Sequence, residues 1–204
     1  MSVAERAQDA LLRPALMRAA ISLIKEGGIN SDSVRQAAEQ VIATTEPSHS
    51  LKSQSDLLTA IAEEAMSSLV TALQGAILDA SHSSALNQCR AAGHAFLRWT
   101  YDNPVHFQVM SSHSLFDFKG SSLAESYEQI RIGLKRLITA AAADGDLYCV
   151  SVEDTLLSAR AFLYGLARMN LDGQLPGWGV THDGALETMQ RLFDSYLFRL
   201  RRAF

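Results

Sequence analysis

The chain has few of the residues and patterns that mark secreted or membrane proteins. Only 2 cysteines and 4 prolines occur among its 204 residues. Cys89 and Cys149 lie far apart in the sequence, so we expect free thiols in a reducing cytosol and no disulfide. No apolar run is long enough to cross a bilayer, and the polar N-terminus is not a signal peptide. We therefore expect a cytoplasmic protein that has no membrane partner.

Positive charge is also scarce. The formal net charge of the whole chain is −4. Residues 1–58 contain six basic and seven acidic side chains, so the N-terminal part is no exception. Duplex DNA is held largely through phosphate contacts made by Lys and Arg. The composition therefore argues against a generally basic nucleic-acid-binding protein.

Motifs of the common catalytic and metal sites are missing as well. The 6 histidines show no HExxH or similar ligand spacing, so we expect no metal. The chain has no phosphate-binding loop and no GxSxG nucleophile motif. The sequence therefore predicts a protein that is not an enzyme and that uses no cofactor.

Helix-forming sequence, in contrast, runs through the whole chain. Hydrophobic residues make up 48% of it, and frequent alanine with rare proline favours helix. Apolar residues at helical spacing, such as Leu12, Leu16 and Leu23, predict amphipathic helices, and Ser53 and Ser151 are placed to cap two of them. The predicted helices cover about residues 8–26, 32–40, 43–50, 54–80, 85–102, 104–111, 122–143, 152–171 and 181–204. Since no strand alternation occurs, the sequence predicts an all-α fold of about nine helices.

The order of these helices resembles the tetracycline-repressor (TetR) family of bacterial transcription regulators. RAAISLIKEGGINSDSV at residues 18–34 and LKSQSDLLTAIAEE at residues 51–64 match the family's first and fourth helices. In the C-terminal part, FLRWTYDNPVHFQVM and AFLYGLARMNLDGQL are similar to one subgroup, although Tyr164 stands before Gly165 where that subgroup has histidine. The resemblance implies a helix-turn-helix head over residues 1–52 and a larger helical domain over residues 53–204 that binds ligand and dimerises.

The reading head departs from the family pattern. The family's turn has Ala-Gly-Val-Ser, whereas residues 40–43 here are Gln-Val-Ile-Ala, and β-branched valine accepts the glycine's turn geometry poorly. Ser48, Ser50 and Leu51 stand where the family has a Tyr-x-His-Phe pattern. Glu46-Pro47 adds a negative charge and a helix-breaking residue. The chain therefore resembles a TetR-family regulator with a degenerate helix-turn-helix.

Several residues of this head nevertheless have side chains that can contact DNA through hydroxyl, imidazole or ammonium groups. The alternative is a solvent-exposed loop without a DNA-binding role. The candidates for DNA contact are Thr44, Thr45, Ser48, His49, Ser50 and Lys52.

An aromatic and methionine-rich set in the C-terminal part is the candidate ligand site. In the family, the centre of this domain holds an apolar cavity, whose walls use a few polar groups to orient a ligand. The alternative for each residue is ordinary core packing. The candidates are Phe96, Trp99, His106, Phe107, Met110, Phe116, Tyr127, Phe162 and Tyr164.

The last two helices carry wide apolar faces. In the family, the corresponding helices pair with their copies in a symmetric four-helix interface. Burial in the chain's own core is the alternative. The candidates for the interface are Leu156, Leu163, Ala167, Met189, Phe193, Tyr196 and Leu197.

Two functions follow from the resemblance and from the departures. The first is a homodimeric TetR-like transcriptional regulator that senses a small apolar molecule and releases operator DNA. The second is a protein of the same fold that has lost operator binding and acts through a protein partner, such as another regulatory protein. The acidic head, the missing glycine and tyrosine, and Gln54 in place of the family's lysine motivate the second function.

Overall fold

The structure, a computed structural model, describes residues 3–27, 31–43, 53–148 and 151–201, with side chains from residue 13 onward except that of Ser31. The described residues form eight α-helices and no β-strand, which confirms the all-α prediction. The predicted short helix over residues 43–50 lies outside them apart from Ala43. The helices are α1 (Val3–Gly27), α2 (Ser31–Ala43), α3 (Gln54–Asp79), α4 (Ala85–Asp102), α5 (Pro104–Ser111), α6 (Leu123–Ala143), α7 (Val152–Leu171) and α8 (Ala185–Leu200).

Two predicted helix caps are confirmed. The Ser53 hydroxyl accepts a hydrogen bond from the Asp56 N–H at 3.1 Å, and the Ser151 hydroxyl accepts one from the Asp154 N–H at 3.1 Å. Each bond satisfies a backbone donor that the first turn of a helix leaves without an intrahelical acceptor. The serine side chains therefore fix where α3 and α7 begin.

Two other helices begin later than the sequence indicates. The Ser122 hydroxyl donates to the Glu63 carboxylate at 2.9 Å, and α6 starts one residue after it, at Leu123. At the start of α8, the Gly184 N–H donates to the Thr181 carbonyl at 3.2 Å, so residues 181–184 form a turn. The helix predicted from Thr181 therefore starts at Ala185.

The chain packs as two compact units. The first contains the described parts of residues 1–67 together with 103–124, and the second contains residues 68–102 and the described parts of 125–204. Helix α3 contributes residues to both units. The division by packing does not coincide with the predicted boundary between residues 52 and 53, which stays a prediction about function.

The core of the first unit is built from small and aliphatic side chains at helical spacing. Met17, Ala20 and Ile24 on α1 are buried, and α1 packs on α2 and on α5. The Ser33 hydroxyl donates to the Gly27 carbonyl at 2.8 Å, which ties the start of α2 to the end of α1. The two N-terminal helices therefore pack on each other and on α5.

The core of the second unit is formed where α4 packs on α7 and α8. The α4–α8 contact is very close, since a Cβ built on Gly93 would lie 2.7 Å from Cδ1 of Phe193. Only glycine allows the two helices to approach this closely. Beyond α8, the Tyr148 N–H donates to the Leu200 carbonyl at 2.8 Å, and Leu147 and Arg201 form an isolated antiparallel bridge.

Large apolar side chains remain on the surface of the second unit. Trp178, in a short 3-10 helix at Leu175–Trp178, is 78% exposed, and Leu157 on α7 is 67% exposed. Leu78, Tyr148 and Phe198 are exposed as well. Exposed apolar groups that lie together on one face mark surfaces that bind another molecule.

Candidate functional site

A groove between α3 and α6 is the candidate ligand site of the second unit. It encloses about 420 Å³, within the size range of small-molecule pockets. Leu73 forms a buried floor, and Val70 and Ile77 form the α3 wall. Ile130 and Leu134 form the α6 wall. Gln74 also lines the groove on the α3 side, so the interior is aliphatic apart from this one amide.

The spacing of the lining residues explains why they share the groove. Val70, Leu73 and Ile77 follow one another at i, i+3 and i+7 along α3, so their side chains project from one face. On α6, Ser126, Ile130 and the pair Gly133 and Leu134 follow the same rule, at i, i+4 and i+7 to i+8. The groove is thus formed by two facing helix stripes.

A glycine widens the groove on the α6 side. Gly133 lines it, and a Cβ built on this residue would meet no atom within 4 Å. Glycine in a helix interior is unfavourable by about 1 kcal/mol relative to alanine. The open space beside Gly133 is therefore a feature of the groove and not a requirement of packing between helices.

Polar side chains lie at the α6 N-terminal end of the groove. Glu125, Ser126 and Gln129 come first along the helix, and Ile130, Gly133 and Leu134 follow. Among the lining residues, Glu125 is the one with a formal charge. On the α6 side the groove therefore has a polar, negatively charged end and an apolar end.

The nine predicted ligand residues do not line this groove, and they divide between the two units. Four belong to the first unit, where Phe107, Met110 and Phe116 are buried in its core and His106 is half-buried. Burial lowers the pKa of His106, and the nearby Glu64 carboxylate opposes this shift. The imidazole is therefore mostly neutral at pH 7.

The other five predicted ligand residues belong to the second unit. The Trp99 indole N–H donates to the Ser68 hydroxyl at 3.0 Å, and Phe96 packs against the core. On α7, the Phe162 ring stacks on the Tyr196 ring with centroids 5.0 Å apart. These contacts are packing within the unit, so a ligand role for the three side chains stays a prediction.

Tyr127 and Tyr164, the last of the five, interact electrostatically, and an arginine lies over the Tyr127 ring. The Arg160 guanidinium lies 5.1 Å from the centroid of the Tyr127 ring. Burial raises the pKa of the Tyr127 phenol. The charge and hydrogen bond of Arg160 lower this pKa by a smaller amount, and Tyr164 raises it slightly. The Tyr127 phenol is therefore protonated at neutral pH and can donate a hydrogen bond.

A polar cluster that the sequence did not indicate joins α4 to α8. Arg90 donates to both carboxylate oxygens of Asp194, at 2.6 and 2.7 Å, and Nε2 of His94 lies 2.7 Å from Oδ1 of the same group. The Arg90 hydrogen bond lowers the pKa of Asp194, with a smaller contribution from His94. Arg90 and His94 lie one turn apart on α4, but Asp194 is 100 or more residues away, so no local pattern could have shown the cluster.

The predicted dimer residues are largely inside the second unit. Met189, Phe193 and Leu197 are buried in the core, Ala167 is buried as well, and Leu156, Leu163 and Tyr196 pack partly against the core. A buried side chain has no surface left to cover with a second chain. The exposed large apolar side chains of α7 and α8 include Leu157, Tyr164 and Leu192 at neighbouring positions. An interface role for the seven predicted residues stays a prediction.

The six predicted DNA-contact residues lie outside the described residues, within positions 44–52. In the described part of the head, the Arg35 guanidinium lies 3.6 Å from Asp32 and 3.5 Å from Glu39 on the same helix. A cleft of about 340 Å³ in the first unit is lined by the carboxylates of Asp56, Glu63 and Asp117 and by Arg13. The described surface of this unit is therefore not a basic one.

A metal site, a membrane span and a reactive thiol are three further possibilities for the same parts of the chain. Within the described ranges, no three His, Cys, Asp or Glu side chains are grouped to hold a metal ion. None of the described helices is both long and apolar enough to span a membrane. Cys89 is a free thiol whose pKa is raised to about 11 by burial, so it is a poor nucleophile.

Comparisons with known proteins agree with the fold. The family model of the tetracyclin repressor-like C-terminal domain matches residues 89–194. No curated protein matches the chain. A solved structure of a protein with unknown function from Rhodococcus sp. RHA1 is 23% identical, with a TM-score of 0.71 over 94% of this chain and 95% of that one.

Two solved regulators have the same fold. A regulatory protein of the TetR family from Rhodococcus RHA1 is 20% identical, with a TM-score of 0.68 over 94% of this chain and 98% of that one. The TetR family transcriptional regulator PfmR from Thermus thermophilus is 19% identical, with a TM-score of 0.66 over 92% and 99% of the two chains. At these identities the likeness concerns the fold alone.

Proposed function

Since the chain belongs to the tetracycline-repressor (TetR) family, we propose that it is a cytoplasmic, homodimeric transcriptional regulator that senses a small apolar molecule. The observation that carries the sensing role is the α3–α6 groove. It offers a mainly aliphatic interior of about 420 Å³, and one of its walls is α3, which also supplies residues to the first unit. No catalytic role is part of the proposal.

Ligand binding in this groove would act through α3. A molecule bound between Val70, Leu73 and Ile130 would stabilise one position of α3 relative to α6. In a dimer, movement of α3 changes the separation of two heads that must meet major grooves about 34 Å apart. The ligand needs only to bind the DNA-competent and DNA-incompetent states with different affinity.

The proposed dimer uses the exposed face of α7 and the adjoining side of α8. Leu157, Ala161 and Tyr164 follow at i, i+4 and i+7 on α7, and Leu192 is exposed on α8. The two helices are held together by the Phe162–Tyr196 ring stack. Two such faces related by a two-fold axis form a four-helix interface.

Leu157→Glu tests this interface, with Leu78→Glu as a matched control. Leu78 is 71% exposed, similar to Leu157, but lies near the end of α3. Sedimentation equilibrium should show dimers for the wild-type chain and for Leu78→Glu, and monomers for Leu157→Glu. A dimer that dissociates equally in both variants, or in neither, would contradict the proposed interface.

The regulatory role is tested by fluorescence anisotropy with DNA from upstream of the chain's own gene. Saturable, sequence-dependent binding that weakens steeply with salt supports a working repressor. Binding that is absent even at low salt would sink operator recognition by this head. The same titration repeated with candidate ligands then measures the coupling between the two sites.

A second candidate function is favoured by the charge of the first unit. Residues 1–67 and 103–124 contain seven basic and ten acidic side chains, and Arg35 is flanked by two carboxylates. We propose as the alternative that this unit binds a basic surface of a protein partner instead of DNA. Loss of DNA binding together with capture of a defined basic regulatory protein would favour this alternative.

A further inference from the structure

The polarity gradient of the α3–α6 groove identifies the chemical class of its ligand. We infer that the groove binds a single-chain aliphatic amphiphile with a cationic head group, and that Glu125 selects this head group against an anionic one. The inference rests on the proposed function, because it concerns the ligand of the same site.

The apolar end of the groove determines the tail. Val70, Leu73, Ile77, Ile130 and Leu134 are all aliphatic, and Gln74 is the one polar side chain on the α3 wall. No aromatic side chain is among the lining residues. An aromatic ligand would gain no ring stacking there, whereas an alkyl chain gains burial at each methylene. The lining from Glu125 to Leu134 extends about 14 Å along α6, which suits an extended decyl tail.

The polar end determines the head group. Glu125 carries a negative charge, while Gln129 and Ser126 offer hydrogen-bonding groups beside it. No lysine or arginine lines the groove to neutralise a ligand carboxylate. An alkylammonium placed with its tail toward Leu134 is attracted by Glu125, and an alkanoate in the same position is repelled.

The open space beside Gly133 completes the geometry. Because a Cβ at Gly133 would meet no atom within 4 Å, the α6 wall leaves room at the place where the tail must pass. Gly75 on α3 provides a matched comparison, since its Cβ would also meet nothing within 4 Å but it does not line the groove.

The experiment measures binding of three ten-carbon probes to the full chain by isothermal titration calorimetry, below their micellar concentrations. The probes are decyltrimethylammonium, decanol and decanoate, and far-UV circular dichroism checks that the helices persist. We expect the wild-type chain to bind the cation more tightly than the alcohol and the alcohol more tightly than the anion. Decanoate binding as tightly as the cation would overturn the inference.

Four variants locate the binding and the selection. Gly133→Leu should weaken the cation by roughly 10-fold or more, because the new side chain occupies the space of the tail, whereas Gly75→Leu should bind as the wild-type chain does. Glu125→Gln should weaken the cation about 2–5-fold, as expected for an exposed ion pair, and Glu125→Lys should reverse the order of cation and anion. Equal binding by both glycine variants would place the ligand elsewhere.

The outcome is separable from that of the proposed function. Selective cation binding that leaves operator affinity unchanged would support the ligand class and remove the sensing role. Intact operator binding with no selective uptake of the cation would overturn the ligand class and leave the regulator in place.

Discussion

Replacing Gly93 by alanine should destabilise the chain, although alanine is the better helix former. The three atoms nearest to a Cβ at this position all belong to the Phe193 ring, and Cδ1 is at 2.7 Å. Real Cβ contacts essentially never fall below 3.0 Å. The ring cannot move away freely, because Phe193 is buried in the core of the second unit.

The magnitude follows from two opposing contributions. Overpacking of a core costs about 1–3 kcal/mol, and the gain in helix propensity from glycine to alanine is about 1 kcal/mol. The net effect of Gly93→Ala is therefore a loss of up to about 2 kcal/mol. Gly75→Ala, where the added Cβ meets nothing within 4 Å, should gain about 0.5–1 kcal/mol.

Urea unfolding followed by circular dichroism measures both variants at one protein concentration, since the proposed dimerisation would make stability concentration-dependent. The propensity contribution is common to the two, so their difference reports the overpacking cost alone. In a Phe193→Leu background, which removes the ring, Gly93→Ala should lose its penalty. If Gly93→Ala is as stable as Gly75→Ala in the wild-type background, α4 and α8 do not approach as closely as described.

Three further changes have defined outcomes. Ser53→Ala removes the hydroxyl that accepts a hydrogen bond from the Asp56 N–H, and it should lower the unfolding free energy in urea by about 1 kcal/mol. Ser53→Asp should retain the cap and the stability. An equal loss in both variants would exclude capping. Asp194→Asn should flatten the acid side of the stability–pH curve. The folded-state pKa of Asp194 lies below the ordinary value near 4, so its stabilisation is present above that value and is lost as pH falls through the folded-state pKa. An acid transition unchanged by this substitution would argue against the Arg90 pair. Met189→Ala should lower the unfolding free energy by about 2–5 kcal/mol, because Met189 is fully buried in the core. A variant that keeps its stability and loses only dimerisation would place Met189 at the dimer interface instead.

Local signals in the sequence were enough to predict most of the helices. Ser53 and Ser151 indicate helix starts because a serine hydroxyl satisfies a free N–H in the first turn, and both contacts are present. Pro104 occupies the first turn of α5 as its fixed backbone angle favours. The late start of α8 could not be predicted from the local sequence. Thr181 has the side chain of a helix cap, but it forms a turn with Gly184 instead.

The groove was harder to predict because its lining is chemically ordinary. Aromatic residues attract notice in a sequence, yet Phe107 and Phe116 are buried in the core of the first unit. Leu73 and Ile77 follow the predicted apolar stripe of α3, but the stripe does not reveal which part faces another helix across a gap. The signal that was present is Gly133, a glycine inside a long helix with no turn to make.

The dimer residues illustrate a related limit. Periodicity places Met189 and Phe193 on the apolar face of α8, but a helix that packs on two sides has two apolar faces, and both show the same repeat. Only the packing of α4 against α8 shows which face is occupied within the chain. Leu157 and Leu192 are left exposed by that arrangement.

The two tryptophans of the chain have opposite environments, which gives it two distinct fluorophores. Trp99 is 5% exposed and its indole is hydrogen-bonded to Ser68, two residues before Val70 of the groove. Trp178 is 78% exposed, so iodide quenches it selectively while Trp99 stays protected. A Trp178→Phe chain therefore emits from a single buried indole beside α3, and its emission reports directly on the helix that forms one wall of the groove.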